Sequence, residues 1–515
     1  MIVLAPEEMQ EIDQLAVNKG FPELLLMEEA GRSTADLICE VQRKKNMKPR
    51  ALIFCHTGNN GGDGLVVARY LDMWNFDIKV ILTGTPDKFS EVTQTNYELC
   101  KMRNINLFTF SDMKYAEIKN LIKEREFIVD ALLGTGIKGE VRGAVAEVID
   151  LIEKNRSSSS LVFSLDIPSG ISGRTGEVLG GALQADYTAV MAFPKTGLCL
   201  YPGVEYAGKQ KIIDIGLPGS VTNQVTVRTF SISDREAGNL IPDRPAEGYK
   251  GTFGRVGVIG GSPGMVGAPC LTGLAALKVG SGLVKLGIPE SIQATAAGYR
   301  PALLTEGLSD DSQGISRKAL PRIKKIEKDY DVLAVGPGLG RSSEVNYIVE
   351  TLIKEAEIPL ILDADALNEL SAPELLLTRD NPTILTPHPG EMANLLDINI
   401  SSVSSRRIPL TREFASEHGV YLVLKGAATT VGHPNGDLYI NPTGTQGLAT
   451  AGSGDVLTGI IAGLVAQGAD CGDAAVLGPY LHGMAGELGS KEQSAPGLTA
   501  GDIIDFIPDV LKKLL

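Results

Sequence analysis

Aromatic residues are scarce in this chain: of 515 residues one is tryptophan, and Phe, Trp and Tyr together make up 5%. The six cysteines (Cys39, Cys55, Cys100, Cys199, Cys270 and Cys471) form no Cys-x-x-Cys pair, which argues against zinc and against a disulfide framework in a chain this large. Long apolar runs are missing too. The longest, near Ile460–Ala466, is far too short to span a bilayer, so no membrane partner is expected. Met1–Asp13 has no basic segment followed by an apolar block, so a cytoplasmic protein without a secretory leader is expected. Positive charge is in deficit, with 48 Lys and Arg against 62 Asp and Glu, which argues against a nucleic-acid partner. The Walker pattern G-x-x-x-x-G-K-[ST] occurs nowhere.

Glycine is plentiful, at 59 residues, and the apolar fraction of 43% and charged fraction of 21% are those of a soluble globular protein. Abundant Gly, Ala, Val, Ile and Leu suit close-packed α/β layers. The length exceeds one ordinary core, so two domains are expected.

In the first half, residues 6–19 and 22–42 have helical periodicity. Arg50–Cys55 is a buried-strand run, followed by the loop His56–Gly64, a helix to about Trp74 and a strand from Ile78 to Leu82. The loop is neither a dinucleotide fingerprint nor a Walker loop. Asn59, Asn60, Gly61, Gly62, Asp63 and Gly64 make either an ordinary Asn/Gly turn or a site where hard oxygens meet a cation and free N–H groups meet a phosphate or amide. Two more strands end alike, at Asp130 before Gly134-Thr135-Gly136 and at Asp166 before Pro168-Ser169-Gly170. In an open parallel sheet such ends gather in one crevice, so Asn60, Asp130, Asp166 and Ser169 are expected to converge.

These motifs resemble those of the NAD(P)H-hydrate epimerases. The resemblance implies a Rossmann-like fold, a hydrated form of NADH or NADPH as substrate, and a potassium ion. It implies Asn60, Asp130 and Ser169 as potassium ligands. Substrate contacts are implied for Asn59, Asn60, Gly61, Gly62 and Asp63, for Gly134, Thr135, Gly136, Ile137, Lys138, Gly139 and Glu140, and for Asp166 as acid/base. Inverting the hydrated carbon calls for proton shuttling by a positioned carboxylate.

A boundary is expected near residue 222, giving domains 1–222 and 223–515, with residues 231–254 a connecting segment rather than a helix. Beyond it, apolar runs ending in Gly, Asp, His or Lys alternate with helical patterns, as in a doubly wound α/β sheet. The stretch around Gly452-Ser453-Gly454-Asp455 opens directly into a helix. Its small residues and free first-turn amides suit phosphoryl oxygens, with Asp455 either a base beside the reacting phosphorus or merely a helix cap. Lys425 closes a strand and is either a phosphate ligand or a solvated lysine. His388, between two prolines, is either a substrate contact or a satisfied turn residue. Glu391 is placed to organise magnesium through water. Asp363 and Asp365 have the same potential, or cap the next helix.

Together these stretches resemble the ribokinase-like fold, and more closely the NAD(P)H-hydrate dehydratases. The resemblance implies phosphorylation of the hydrate's hydroxyl by ADP or ATP, followed by loss of phosphate. It implies hydrate contacts at Ala268, Gly338, His388 and Asp455. Nucleotide contacts are implied at Lys425, Gly426, Ala427, Ala428 and Thr429, and at Gly452, Ser453 and Gly454. Thr445-Gln446-Gly447-Leu448 departs from the Asn-x-Gly-Met expected there. A homo-oligomer is expected by family analogy. Two rivals stand beside this reading: a vitamin or sugar kinase with the same second fold, and a first half that only binds or regulates.

Overall fold

The computed structural model describes residues 1–137, 139–370 and 372–515. They divide into two compact units, Ile2–Val227 and Arg228–Leu515 together with Met1. The expected boundary at 222 falls at the end of a short helix, Gly219–Thr222.

The first unit holds strands β1 (Arg50–Cys55), β2 (Asp77–Leu82), β3 (Asn106–Thr109), β4 (Phe127–Ala131), β5 (Leu161–Leu165), β6 (Tyr187–Met191) and β7 (Lys209–Ile213). They form one parallel sheet in the order β3-β2-β1-β4-β5-β6-β7. Both faces are covered, so the strands are apolar on both sides: Ala51, Ile53 and Cys55 join one core, Leu52 and Phe54 the other. The strand order reverses between β1 and β4. This is the Rossmann-like doubly wound sheet, and the crevice opens at that switch point.

The segment expected as a loop after β1 is instead helical. Asn59–Gly64 are the first turns of the helix Asn59–Met73. The glycines serve close packing: a Cβ on Gly61 would lie 1.9 Å from the His56 carbonyl oxygen, and one on Gly64 would lie 2.4 Å from the Ala131 Cβ. The helix can therefore descend onto the ends of β1 and β4 only without side chains there.

The second unit holds β8 (Thr229–Phe230), β9 (Arg255–Ile259), β10 (Leu283–Pro289), β11 (Leu304–Leu308), a two-residue pair β12 (Asp310–Asp311) and β13 (Gly314–Ile315), then β14 (Val332–Val335), β15 (Leu360–Leu362), β16 (Thr383–Leu385), β17 (Tyr421–Leu424), β18 (Thr430–Gly432) and β19 (Leu438–Ile440). Its main sheet runs β11-β10-β9-β14-β15-β16-β17-β18-β19-β8. Pairing is parallel from β11 to β17 and antiparallel through β17, β18 and β19. Val332 and Ala334 face one core while Leu333 and Val335 face the other. On one face the helices Gly267–Val279 and Ser453–Ala466 approach backbone to backbone, since a Cβ on Gly459 would lie 2.1 Å from the Thr272 carbonyl oxygen.

Residues 231–254 are not all connection: Asp234–Leu240 is a helix, closed by a reciprocal box in which the Ser233 hydroxyl accepts from the Glu236 N–H and Glu236 accepts from Ser233. Among the described residues no helix is long and apolar enough to cross a membrane.

Candidate active sites

In the first unit the strand ends enclose a cleft of about 760 Å³. Asn59, Asn60, Asp63, Gly134, Thr135, Gly136, Ile137, Glu140 and Asp166 line it. Gly61 and Gly62 are buried in the helix behind, where they govern its packing. Gly139 is absent from the lining, and Lys138 lies outside the described residues.

Beneath the cleft, Asn60, Asp130 and Ser169 meet around Leu133. Asn60 Nδ2 donates to the Leu133 carbonyl (3.0 Å), and the Leu133 N–H donates to the Ser169 hydroxyl (2.9 Å). Ser169 donates to Asp130 through both its hydroxyl (2.5 Å) and its N–H (2.8 Å), and Ser164 adds a third donor at 2.8 Å. Asp130 is fully buried; burial pushes its carboxyl up, and these donors oppose the shift. Among the described residues it forms no ion pair, and Asn60 Oδ1 is buried with no hydrogen-bond partner. An orphaned carbonyl oxygen beside an uncompensated carboxylate and a hydroxyl is a donor set that suits a hard monovalent cation.

Asp166 follows β5 in the left-handed region, at φ +63°. Its Oδ1 accepts from the Met191 N–H (3.0 Å) and from Lys195 Nζ. Asp13 and Asp63 share the cleft with it. Burial, reinforced by the neighbouring carboxylates, pushes Asp63 well up, and burial pushes Asp13 up to about 6.

In the second unit the ends of β14 to β17 lie side by side. Gly336, past β14, abuts the Asp363 backbone: an added Cβ would be 1.8 Å from that carbonyl oxygen. Gly338, at φ +61°, packs against Ala268, whose Cβ would be 3.1 Å from one added there. Lys425 is hydrogen-bonded through its N–H to the Pro387 carbonyl (2.8 Å), and its Nζ donates to Asp363 Oδ1 at 2.7 Å. Glu391 Oε2 stands 3.8 Å from the same ammonium. Gly426, Ala427, Ala428 and Thr429 form the turn from β17 into β18, with Gly426 and Ala428 both at positive φ.

The residue that caps the helix Ser453–Ala466 is Gly452, at φ +85°; Asp455 is the third helical residue and no cap. The Asp455 side chain makes no hydrogen bond among the described residues, and the N–H groups of Gly454 and Asp455 find no acceptor there. A Cβ on Gly454 would lie 3.4 Å from Lys425 Nζ, so the first turn and the lysine face one space. Burial, with the charge of Asp363, pushes Asp455 up to about 7, although Lys425 opposes the shift. His388 does act as a cap: its Nδ1 accepts from the N–H groups of Gly390 (2.9 Å) and Glu391 (3.2 Å). Glu391 is buried and returns a hydrogen bond from the His388 N–H at 2.7 Å. Among the described residues no group of three or more His, Cys, Asp or Glu side chains could cage a metal, so a magnesium ion fits here only through its water shell.

A family model described as NAD(P)H-hydrate dehydratase matches residues 256–509, and one described as YjeF-related protein N-terminus matches residues 23–197. A bifunctional NAD(P)H-hydrate repair enzyme of Moorella thermoacetica is 39% identical over 520 residues, covering 100% of this chain and 97% of its own. The chain belongs to the bifunctional NAD(P)H-hydrate repair enzymes. A second such enzyme, from Thermofilum pendens, is 36% identical with the same coverage. The crystal structure of an ADP/ATP-dependent NAD(P)H-hydrate dehydratase from Bacillus subtilis is similar at 32% identity and TM-score 0.49, covering 56% of this chain and 99% of that one.

Sequence reasoning on this repair enzyme missed Asp13 and His56 in the first cleft, and Lys195, which lines an adjoining pocket and donates to Asp166. The strand-end rule that found Asp166 would have found Lys195, four residues beyond β6, had it been carried past Phe193-Pro194. In the second unit it missed Thr458, which donates to Asp363 Oδ2 at 2.7 Å, and His482, whose Nε2 lies 3.1 Å from the Ser453 hydroxyl. Burial pushes His482 down to about 4, so the ring is neutral beside the phosphate-loop candidate.

Proposed function

We propose that the first half interconverts the R and S epimers of hydrated NADH and NADPH, and that the ribokinase-like second half dehydrates the S epimer with ADP or ATP. What carries this reading is end-to-end similarity: the repair enzymes match both halves, in order, within one chain.

Water adds to an enamine with its hydroxyl on the carbon next to nitrogen, so the hydrate is a carbinolamine. Asp166 takes the hydroxyl proton as the C–O bond becomes a carbonyl and the ring C–N bond opens, its electron pair passing to nitrogen. Reclosure on the other face returns the proton and inverts the centre. Asn60, Asp130 and Ser169 would hold potassium, which supplies positive charge at the floor of the cleft.

In the second half Asp455 takes the proton of the hydrate hydroxyl as its oxygen attacks the terminal phosphorus of the nucleotide, whose bond to the bridging oxygen breaks to release AMP from ADP or ADP from ATP. The Gly454 and Asp455 N–H groups and Lys425 stabilise the transferring phosphoryl group. The ring nitrogen's pair then expels phosphate, and loss of the adjacent proton restores the double bond. Magnesium bound to the nucleotide's phosphates, reached through water by Glu391, would offset their charge. Gly426–Thr429 and Gly452–Gly454 shape the nucleotide side of the site; Ala268, Gly338 and His388 shape the hydrate side.

The test supplies mixed hydrate epimers with ADP or ATP and follows the return of dihydronicotinamide absorbance. Complete recovery is expected with the intact chain. A second half that phosphorylates hydroxymethylpyrimidine-like alcohols and ignores the hydrate would overturn the reading.

A further inference from the structure

The Lys195 side chain is fully buried, among the largest wholly buried side chains in the protein. An ammonium is taken out of water only where something compensates it. Here its Nζ donates to Asp166 Oδ1 and to the Met191 carbonyl at 3.0 Å. The Met191 N–H donates to the same Oδ1, so one carboxylate oxygen has two donors while Oδ2 has none among the described residues. Asp166 meanwhile lines the cleft, so the unengaged oxygen is the one left for a ligand.

The backbone around Lys195 is anchored independently of Asp166. It pairs with Leu4, whose N–H donates to the Pro194 carbonyl (2.8 Å) and whose carbonyl accepts from the Thr196 N–H (2.9 Å). A pocket adjoining the cleft, which shares Asp13, Asp63 and Asp166 with it, also holds Glu23; Asp13 comes from the first helix, Glu23 from the second and Asp63 from the helix after β1. Lys195 is the only cation among the described residues lining that pocket. On this side Asp166 shares its pocket with three other carboxyl groups and one positive charge, while the main cleft adds Glu140 and Arg142.

We infer that Lys195 is the positioning residue of the epimerase site, a buried ammonium that holds Oδ1 of Asp166 and leaves Oδ2 to exchange the hydroxyl proton of the substrate. It rests on the proposed epimerase reading, and it extends the machinery beyond Asp166 itself. Lys195 acts through the aspartate. It supplies charge and geometry where the main-chain donor of Met191 supplies only geometry.

The test uses the full chain. Lys195→Met, close in size and uncharged, should slow epimer exchange by about 100-fold while leaving nucleotide-dependent dehydration of the pure S epimer unchanged. Lys195→Ala should lose as much, and added methylammonium should restore exchange saturably by occupying the vacated space. Lys195→Met, whose side chain fills that space, should resist rescue. A Lys195→Met chain with wild-type exchange, or a Lys195→Ala chain that methylammonium leaves inactive, would overturn the inference alone. An unaltered chain that exchanges no epimers would overturn the epimerase reading and this inference with it.

Discussion

Lys425 and Asp363, 62 residues apart in the chain, form a hydrogen-bonded ion pair at 2.7 Å in which the aspartate is 1% exposed and the lysine 17%. The pair joins the ends of β15 and β17 beneath the first turn of the helix Ser453–Ala466. Removing one partner of a buried pair leaves the other charge uncompensated. Asp363→Ala should therefore destabilise the second half by about 3–5 kcal/mol in denaturant unfolding. Thr458→Val, which removes only the hydroxyl donor to Asp363, should cost about 1–3 kcal/mol. A smaller effect for Asp363→Ala than for Thr458→Val would show that the pair is not what holds Lys425.

Asp455 should carry a pH signature. Its folded-state carboxyl is raised from 3.8 to about 7, so nucleotide-dependent dehydration should fall as pH drops through about 7, where the base becomes protonated. The same shift acts on stability. A carboxyl raised by folding destabilises the fold in its ionised form, most fully above about 7, and the penalty fades as pH falls toward 3.8. Asp455→Asn should therefore melt higher than the unaltered chain at alkaline pH, with the gap closing on acidification, while losing dehydration altogether.

Asp455→Asn should leave epimer exchange intact, and Asp166→Ala should abolish exchange yet spare dehydration of the pure S epimer. Chiral separation of the hydrates, run beside the absorbance assay, reads both activities from one sample. A folded variant of either kind that lost both would show that the two reactions do not have separate seats.

Potassium should stabilise the first half if Asn60, Asp130 and Ser169 hold it. A ligand bound only by the native state raises stability with the logarithm of its concentration, by about 2.7 kcal/mol at a hundredfold excess over its dissociation constant. At constant ionic strength, exchanging tetramethylammonium for potassium should raise the first unit's melting temperature, and Asn60→Leu should erase the increment. Equal melting in both salts would exclude a cation there.

Gly61→Ala places a methyl where 1.9 Å separates it from a main-chain oxygen that cannot swing aside. It should destabilise the first half by about 1–3 kcal/mol and displace Asn59, Asn60 and Asp63 from the cleft. Thermal unfolding and epimer exchange measured on the same preparation check both effects.

The α/β alternation was legible in the sequence because strands buried on both faces are uninterrupted apolar runs, as at Leu333 and Val335 against Val332 and Ala334. Asp166 was legible because a strand's carboxyl end marks the crevice. The strand-end rule could have placed Lys195 near the crevice, but its complete burial was not legible, since only packing shows that a lysine past Phe193-Pro194 has lost all contact with water. The helical start at Asn59 was hidden because glycines needed for close approach look the same in sequence as glycines needed for a turn. At Ser233 the reverse occurred: the Ser-x-x-Glu box was present, and the prolines and glycines downstream masked the short helix it opens.

The imidazole of His388 spends Nδ1 as acceptor for two main-chain N–H groups. That arrangement selects the tautomer with its proton on Nε2. The Nε2 proton then faces Glu391 Oε1, 3.4 Å away, so ring and carboxylate hold each other at the start of this helix and the imidazole has no lone pair left to give.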